Sequence, residues 1–319
     1  MICWLSGVFM VLIIIKVAYK LSIGWDRSPT CLIGKTTIVT GANSGIGYIT
    51  ALDFAKRGAR VILACRDRNK AEKAKNEIIA QTGNPNIFAR IIDFALLASV
   101  RLFAEEINNS EKRLDILVNN AGAGGLPETT TEDGLNLLMQ VNHFGPALLT
   151  LLLIDLLKKS APSRIVNVSS IAAHGARLDP TDLNAWPDSQ TINYCNSKLC
   201  VTIFTNELAR RLRGTNVVAN SLHPGTVRTE LFREMPCIMK EIFHAFLYVW
   251  CKTAEEGAQT SIYVAVSKDI EGVSGEYFDN CRIAWLPPMP KMARDESVAV
   301  TVWKKTEEHI RLTPEEARL

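Results

Sequence analysis

The stretch TGANSGIG, Thr40–Gly47, holds three glycines in eight residues and lies between the strand-like run 35–39 and a helix-like run that begins near Ile46. Glycine at that density, between a strand and a helix, means that something approaches the backbone too closely for side chains. A phosphate fits, because backbone N–H groups and the positive end of the helix dipole converge there. The spacing is G-x-x-x-G-x-G, not the G-x-G-x-x-G of the commonest dinucleotide fingerprint. Its strand-turn-helix setting still predicts a dinucleotide site lined by Gly41, Asn43, Ser44, Gly45, Ile46 and Gly47. The alternative is a turn rich in glycine for conformational reasons alone.

Outward from that turn, strand and helix signals alternate. Apolar runs at 60–64, 86–92, 114–119, 164–168 and 217–222 predict strands, and helical patterns cover 69–81, 97–107, 132–157 and 193–212. Strands that are apolar throughout and joined by helices mean a parallel sheet covered on both faces. The expected fold is therefore a Rossmann-like, doubly wound α/β parallel sheet forming one domain, residues 35–290, with its ligand at the C-terminal ends of the strands. Residues 24–34, with Gly24, Pro29 and Gly34, read as a linker, and 291–319, with Lys304, Lys305, Glu307 and Glu308, as a charged C-terminal segment. There is no internal repeat and no low-complexity segment.

The chain has 319 residues, enough for a sizeable core. Lys and Arg number 36 against 33 Asp and Glu, so no nucleic-acid partner is expected. The eight cysteines show no C-x-x-C and no zinc-like spacing with histidine, which predicts reduced thiols and no metal site. Ile2–Ile15 is uncharged and is followed by Lys16, Lys20 and Arg27. Those fourteen residues fall short of the roughly 20 that span a bilayer, but snorkelling of Lys16 extends the segment. Residues 1–23 are read as a retained N-terminal membrane anchor that leaves the rest facing the cytosol, with a cleaved signal peptide or a buried helix as alternatives.

Cofactor identity is decided where the second strand ends. An acid there would bind the ribose hydroxyl of NAD, whereas Arg66 offers a fork of donors to the 2′-phosphate of NADP. NADP(H) is thus expected over NAD(H), unless Arg66 simply faces solvent. Asp67 caps the following helix or contributes to the ribose, and Asp93 accepts from the adenine amino group or caps a helix of its own. Tyr194 and Lys198 are four apart in a helical run and share a face. A free phenol, pKa about 10, exchanges protons poorly at neutral pH, and a close ammonium favours its ionised form. The strand at 164–168 carries Ser169 and Ser170 to the same edge of the sheet.

The runs TGANSGIG, NNAG (119–122), VNHFG (141–145), NVSS (167–170), YCNSK (194–198) and HPG (223–225), in that order, resemble the short-chain dehydrogenase/reductase family over residues 34–280. The resemblance implies a tetrad of Asn142, Ser170, Tyr194 and Lys198. Tyr194 is then the proton donor or acceptor at the substrate oxygen and Lys198 lowers its pKa and binds the nicotinamide ribose. Ser170 binds the carbonyl oxygen, with Ser169 as the alternative, and Asn142 holds a relay water. It also implies cofactor contacts from Asn120, Ala121, Gly122, Pro224, Gly225, Thr226 and Thr229. His143, His174 and His223 are read as structural hydrogen-bonders.

The anchor, the ACRD run at 64–67, SGEYFDNC at 274–281 and the long gap between Ser170 and Tyr194 resemble the microsomal retinol dehydrogenase branch. That implies retinol and retinal as substrates and an endoplasmic reticulum location. A steroid or lipid-aldehyde reductase, or a non-catalytic cofactor-binding sensor, are the alternatives. The apolar run at 242–251 lies in an expected lid, 228–252, that covers a lipophilic pocket, meets the membrane or packs into the core. A homodimer through the helices at 132–157 and 193–212 is the arrangement common in such relatives.

Overall fold

The computed structural model describes residues 14–227 and 251–319. The expectations for residues 1–13, for Thr229, for nearly all of the lid and for most of 242–251 lie outside the described residues.

An eight-stranded sheet runs in the order β3-β2-β1-β4-β5-β6-β7-β8. The strands are β1 (Thr36–Thr40), β2 (Arg60–Cys65), β3 (Ile87–Ile91), β4 (Ile116–Asn119), β5 (Ser163–Val168), β6 (Val217–His223), β7 (Tyr277–Asp279) and β8 (Arg282–Ile283). All pair in parallel except β7 with β8. β1 lies between β2 and β4, so the strand order reverses there and the connecting chains diverge, opening a crevice at the strand ends.

The sheet is apolar on both faces because neighbouring residues of one strand feed two different cores. Ile38, Ile62, Leu117 and Ile165 point into one cluster, and Val39, Val61, Val118 and Val166 into the other. The first cluster is closed by α3 (Leu97–Ser110), α5 (Gly145–Leu152), α6 (Ile154–Lys159), α7 (Gln190–Arg211) and α9 (Glu296–His309). The second is closed by α1 (Gly45–Lys56), α2 (Arg68–Thr82) and α8 (Ala254–Val266). A three-residue turn, α4 (Leu137–Met139), lies between α3 and α5.

β1 to β6 fall within a residue or two of expectation and β7 and β8 were not foreseen, while the single long helix over 132–157 is corrected. Gly134 is left-handed at φ 80°, and the Asn136 side chain accepts from Leu138 N and Met139 N, so the helix starts only at α4. A π-helical turn, Gln140–Phe144, follows before α5, and Leu153 interrupts the chain between α5 and α6. Such π-turns are common at functional sites, and this one carries Asn142.

Both flanking segments pack on the domain. In the stretch read as a linker, Arg57 pairs with Asp26 at 2.9 Å and donates to Ser28 O at 2.6 Å. In the C-terminal segment, Trp303 is buried, lies flat on Phe204 with centroids 5.0 Å apart, and has the Arg211 guanidinium on its ring. Residues 14–21 are helical, and Lys20 pairs with Glu256 at 2.6 Å. No helix among the described residues is long and apolar enough to cross a membrane.

Candidate active site

The glycine turn sits at the crevice. Gly41 and Gly45 have φ of 65° and 58°, the left-handed region that glycine enters without strain. A Cβ on Gly47 would collide with the Asn120 amide nitrogen and with Gly41 O. Ser44 precedes α1 in extended conformation, is exposed and makes no capping hydrogen bond of its own. The first N–H groups of α1 have no intrahelical partner. A turn with its side chains removed, unspent donors and a free hydroxyl fits a phosphate-bearing cofactor.

Thr40, which was not singled out in the sequence, holds this turn to the neighbouring strand. Its Oγ1 accepts from Asn120 N at 3.0 Å and Ala121 N at 2.9 Å, and its carbonyl accepts from Asn120 Nδ2 at 2.8 Å. Asn120 therefore spends its amide on joining the ends of β1 and β4. The signal for Thr40 was its place as the first residue of the glycine run. Arg66, just past β2, is exposed and has no partner among the described residues. Asp67 caps α2, accepting from Lys70 N at 3.0 Å, and Asp93 accepts from Ala95 N at 2.9 Å within a local turn.

The expected tetrad converges at the C-terminal end of β5. Lys198 is buried and donates from Nζ to Val168 O at 3.0 Å, with Nζ 5.9 Å from the centre of the Tyr194 ring. A Cβ on Gly122 would lie 2.9 Å from that Nζ, so the lysine tip passes close over this glycine. Asn142 is held by Ala123, accepting from its N at 2.8 Å and donating to its O at 2.9 Å, and donates to Ser197 Oγ at 3.0 Å. Ser197 Oγ in turn donates to Tyr194 O at 2.8 Å. This serine, also not foreseen, links Asn142 to the tyrosine from inside the YCNSK run.

The two serines are told apart by their partners. Ser169 Oγ donates to Lys198 O at 2.7 Å and accepts from Thr202 Oγ1 at 2.9 Å, deep in the protein. Ser170 Oγ accepts from Ala172 N at 3.1 Å and lies against the Tyr194 phenol. Of the two serines, Ser170 is the one whose hydroxyl lies against the phenol.

Burial decides the protonation of the pair. It pushes the Tyr194 phenol above its usual range, against the opposing effect of the Ser170 hydroxyl, and lowers the Lys198 ammonium to about 8. The Lys198 ammonium is turned to Val168 O, and desolvation is the largest influence on the Tyr194 phenol. Beside Asn142 is a cavity of about 10 Å³ lined by Asn119, Asn142, His143 and Asn167, close to the space one water requires. The buried Oδ1 of Asn119 has no partner among the described residues.

Past β6, Gly225 is left-handed at φ 84° and donates from N to His223 Nδ1 at 3.2 Å, while Thr226 is exposed. His143 is fully buried, faces Thr306 Oγ1 at 2.8 Å and is pushed down to about 3 by desolvation, a core histidine. His174 is exposed, with its ring nitrogens against Ile171 O and Pro288 O.

The sequence profile described as "short chain dehydrogenase" matches residues 35–236. The chain is 46% identical over 289 residues to Retinol dehydrogenase 11 of Mus musculus, covering 90% of each chain. It is 45% identical over 295 residues to Retinol dehydrogenase 14 of Homo sapiens, covering 88% of this chain and 87% of the relative. Among solved structures, a Pseudomonas aeruginosa RhlG/NADP active-site complex superposes with a TM-score of 0.63 at 26% identity, over 78% of this chain and 95% of that one. The chain therefore belongs to the short chain dehydrogenase family, as an oxidoreductase of its retinol dehydrogenase branch.

Proposed function

We propose that the protein is an NADP(H)-dependent enzyme that interconverts a lipophilic alcohol and its aldehyde or ketone, with retinol and retinal as the leading pair. One observation carries this reading: a chain 46% identical to a retinol dehydrogenase over 90% of its length keeps Ser170, Tyr194 and Lys198 together at one strand end. Arg66, uncommitted at the end of β2, supports the phosphorylated dinucleotide. The bound cofactor supplies or takes up the hydride.

In this reading the protein's own groups handle the oxygen and its proton. Ser170 receives Ala172 N on its oxygen, which leaves its O–H to donate to the substrate oxygen. Tyr194 gives or takes the proton at that oxygen. Lys198 holds the nicotinamide ribose from the far side of Gly122, and the turn residues Gly41, Asn43, Ser44, Gly45, Ile46 and Gly47 hold the phosphates. Pro224, Gly225 and Thr226 lie toward the nicotinamide end. Asn142 holds a water for proton relay, and the cavity beside it has room for one.

The uncharged run Ile2–Ile15, with Lys16 and Lys20 after it, supports attachment to the endoplasmic reticulum membrane with the domain on the cytosolic side, where a lipid-soluble substrate is delivered. Homodimerisation belongs to the same reading.

The test is turnover by the full-length chain in vesicles with NADPH or NADH and a panel of all-trans-retinal, steroid ketones and long-chain aldehydes. Retinal reduced preferentially with NADPH is the expected result. A steroid preference moves the substrate within the family, and no turnover of any carbonyl overturns the reading.

A further inference from the structure

The SGEYFDNC run supplies β7, which pairs with the end of β6 through Ser221 and Tyr277. Tyr277 is 1% exposed, yet it is not only a core aromatic. Its Oη donates to the backbone carbonyl of Ser170 at 3.1 Å. Its ring lies against His223 at 5.5 Å and His174 at 6.4 Å between centroids. Packing alone would be served by phenylalanine, because a buried hydroxyl costs free energy unless it is bonded. The hydroxyl at 277 is kept where its acceptor is the peptide of the serine beside Tyr194.

We propose that Tyr277 is a positioning residue that fixes the Ser170 peptide, and through it the direction of the Ser170 hydroxyl. The Ser170 carbonyl is held by Tyr277 Oη on one side and by Ala173 N, at 3.1 Å, on the other. The Ser170 Oγ is held by Ala172 N. The turn that supplies those two N–H groups is itself fastened to the chain after β8, because His174 Nε2 lies 2.8 Å from Pro288 O. With carbonyl and Oγ both fixed, only the serine proton remains free, and it is aimed at the oxygen it shares with Tyr194. Without the phenol hydroxyl, the peptide is free to rotate about its remaining bond and Oγ turns with it. Burial drives the Tyr277 phenol far above its ordinary range, so it stays a donor at every working pH. The proposal rests on Ser170 as the group that binds the substrate oxygen.

The test is Tyr277→Phe in the full-length chain, alone and combined with Ser170→Ala. Removing one neutral hydrogen bond is expected to lower kcat about three- to tenfold, with the NADPH dissociation constant and the thermal midpoint close to wild type. In the Ser170→Ala background Tyr277→Phe should cost nothing more. An unchanged kcat, an equal loss in both backgrounds, or a kcat loss accompanied by lost NADPH affinity and thermal stability overturns the proposal. Tyr194 ionisation, read as phenolate absorbance against matching Tyr194→Phe chains, should move up in Tyr277→Phe and likewise in Ser170→Ala. An unmoved titration overturns the proposal even in a chain that turns over no carbonyl, where the functional reading fails separately.

Discussion

The turn from β1 into α1 and the face of α7 that carries Tyr194 and Lys198 flank the same strand ends, and they are made in opposite ways. Gly41 backs onto Ala121, with Ala121 Cα 3.0 Å from where its Cβ would be, and Gly122 backs onto Lys198, so a short path of contacts joins the two. The turn works by leaving things out: Gly41, Gly45 and Gly47 carry no side chains, and Ser44 and Arg66 are exposed and unspent. The α7 side works by commitment, since Asn142, Ser169, Ser197 and Lys198 each have named partners before any ligand arrives. A cradle made of absences should tolerate polar changes and fail on added bulk. A web made of commitments should fail when a single atom is removed.

The largest effect falls on the web. Tyr194→Phe removes one oxygen and none of the packing. It should lower kcat by about 10²–10⁴-fold, the usual contribution of a placed acid or base, while the NADPH dissociation constant changes little. Steady-state kinetics beside a binding titration decide it. Retained turnover would mean that the committed side is merely structural.

Lys198 sharpens the contrast through pH. Its folded value is about 8 against an ordinary 10.5, because burial disfavours the charged form. Below pH 8 both folded and unfolded chains hold the proton, and the folded chain bears the full cost of burying it. Between pH 8 and 10.5 the unfolded chain binds more protons, so stability rises with pH. Urea unfolding of wild type against Lys198→Met should show a difference that shifts toward wild type by about 3 kcal/mol over that window. A difference that stays flat would show that the ammonium is solvated.

On the turn side, Gly47→Ala puts a methyl onto the Asn120 amide and Gly41 O. Asn120 Nδ2 must then leave Thr40 O, and one of the bonds that join the ends of β1 and β4 is lost at about 1–3 kcal/mol. The same change at Gly34, where nothing lies within 4 Å of the added Cβ, meets only its positive φ of 77°. Thermal unfolding with and without NADPH separates them: Gly47→Ala loses stability and most of the stabilisation by NADPH, whereas Gly34→Ala keeps the NADPH effect.

The same two sides differ in how much of them could be read in advance. β1 to β6 were legible within a residue or two because burial on both faces favours apolar runs, whereas the short β7 and the exposed β8 carry no such run. The glycine turn was legible because only glycine suits its φ values and clearances. The break in the helix at 132–157 was hidden. Leu135, Leu138, Leu148, Leu149 and Leu156 are all buried, and leucines at helical spacing look alike whether one helix or three pieces carry them. The π-turn that sets Asn142 therefore leaves no periodic trace. At the C-terminus, Lys304, Lys305, Glu307 and Glu308 masked a buried face of Val302, Trp303 and Thr306. The Tyr194–Lys198 spacing announced proximity but not the burial of the two groups, because desolvation is a property of the assembled crevice.

Arg66 gives the smallest effect and tests the exposed side most directly. Its guanidinium projects from the end of β2 with no partner among the described residues, so Arg66→Ala breaks nothing that holds the fold and should leave the thermal midpoint unchanged. Any consequence must come through a ligand. A bond between arginine and a phosphate is charge-assisted, but an exposed site is screened by solvent and salt, so the loss should be about tenfold in NADPH affinity, or ~1.4 kcal/mol. NADH carries no 2′-phosphate and its affinity should not move, which makes the ratio of the two dissociation constants the quantity to measure. Raising the salt concentration should shrink that ratio in wild type and leave it unaltered in Arg66→Ala. If both nucleotides weaken together, Arg66 acts on the shape of the turn and not on the phosphate, and the turn side would then depend on a committed side chain as much as α7 does.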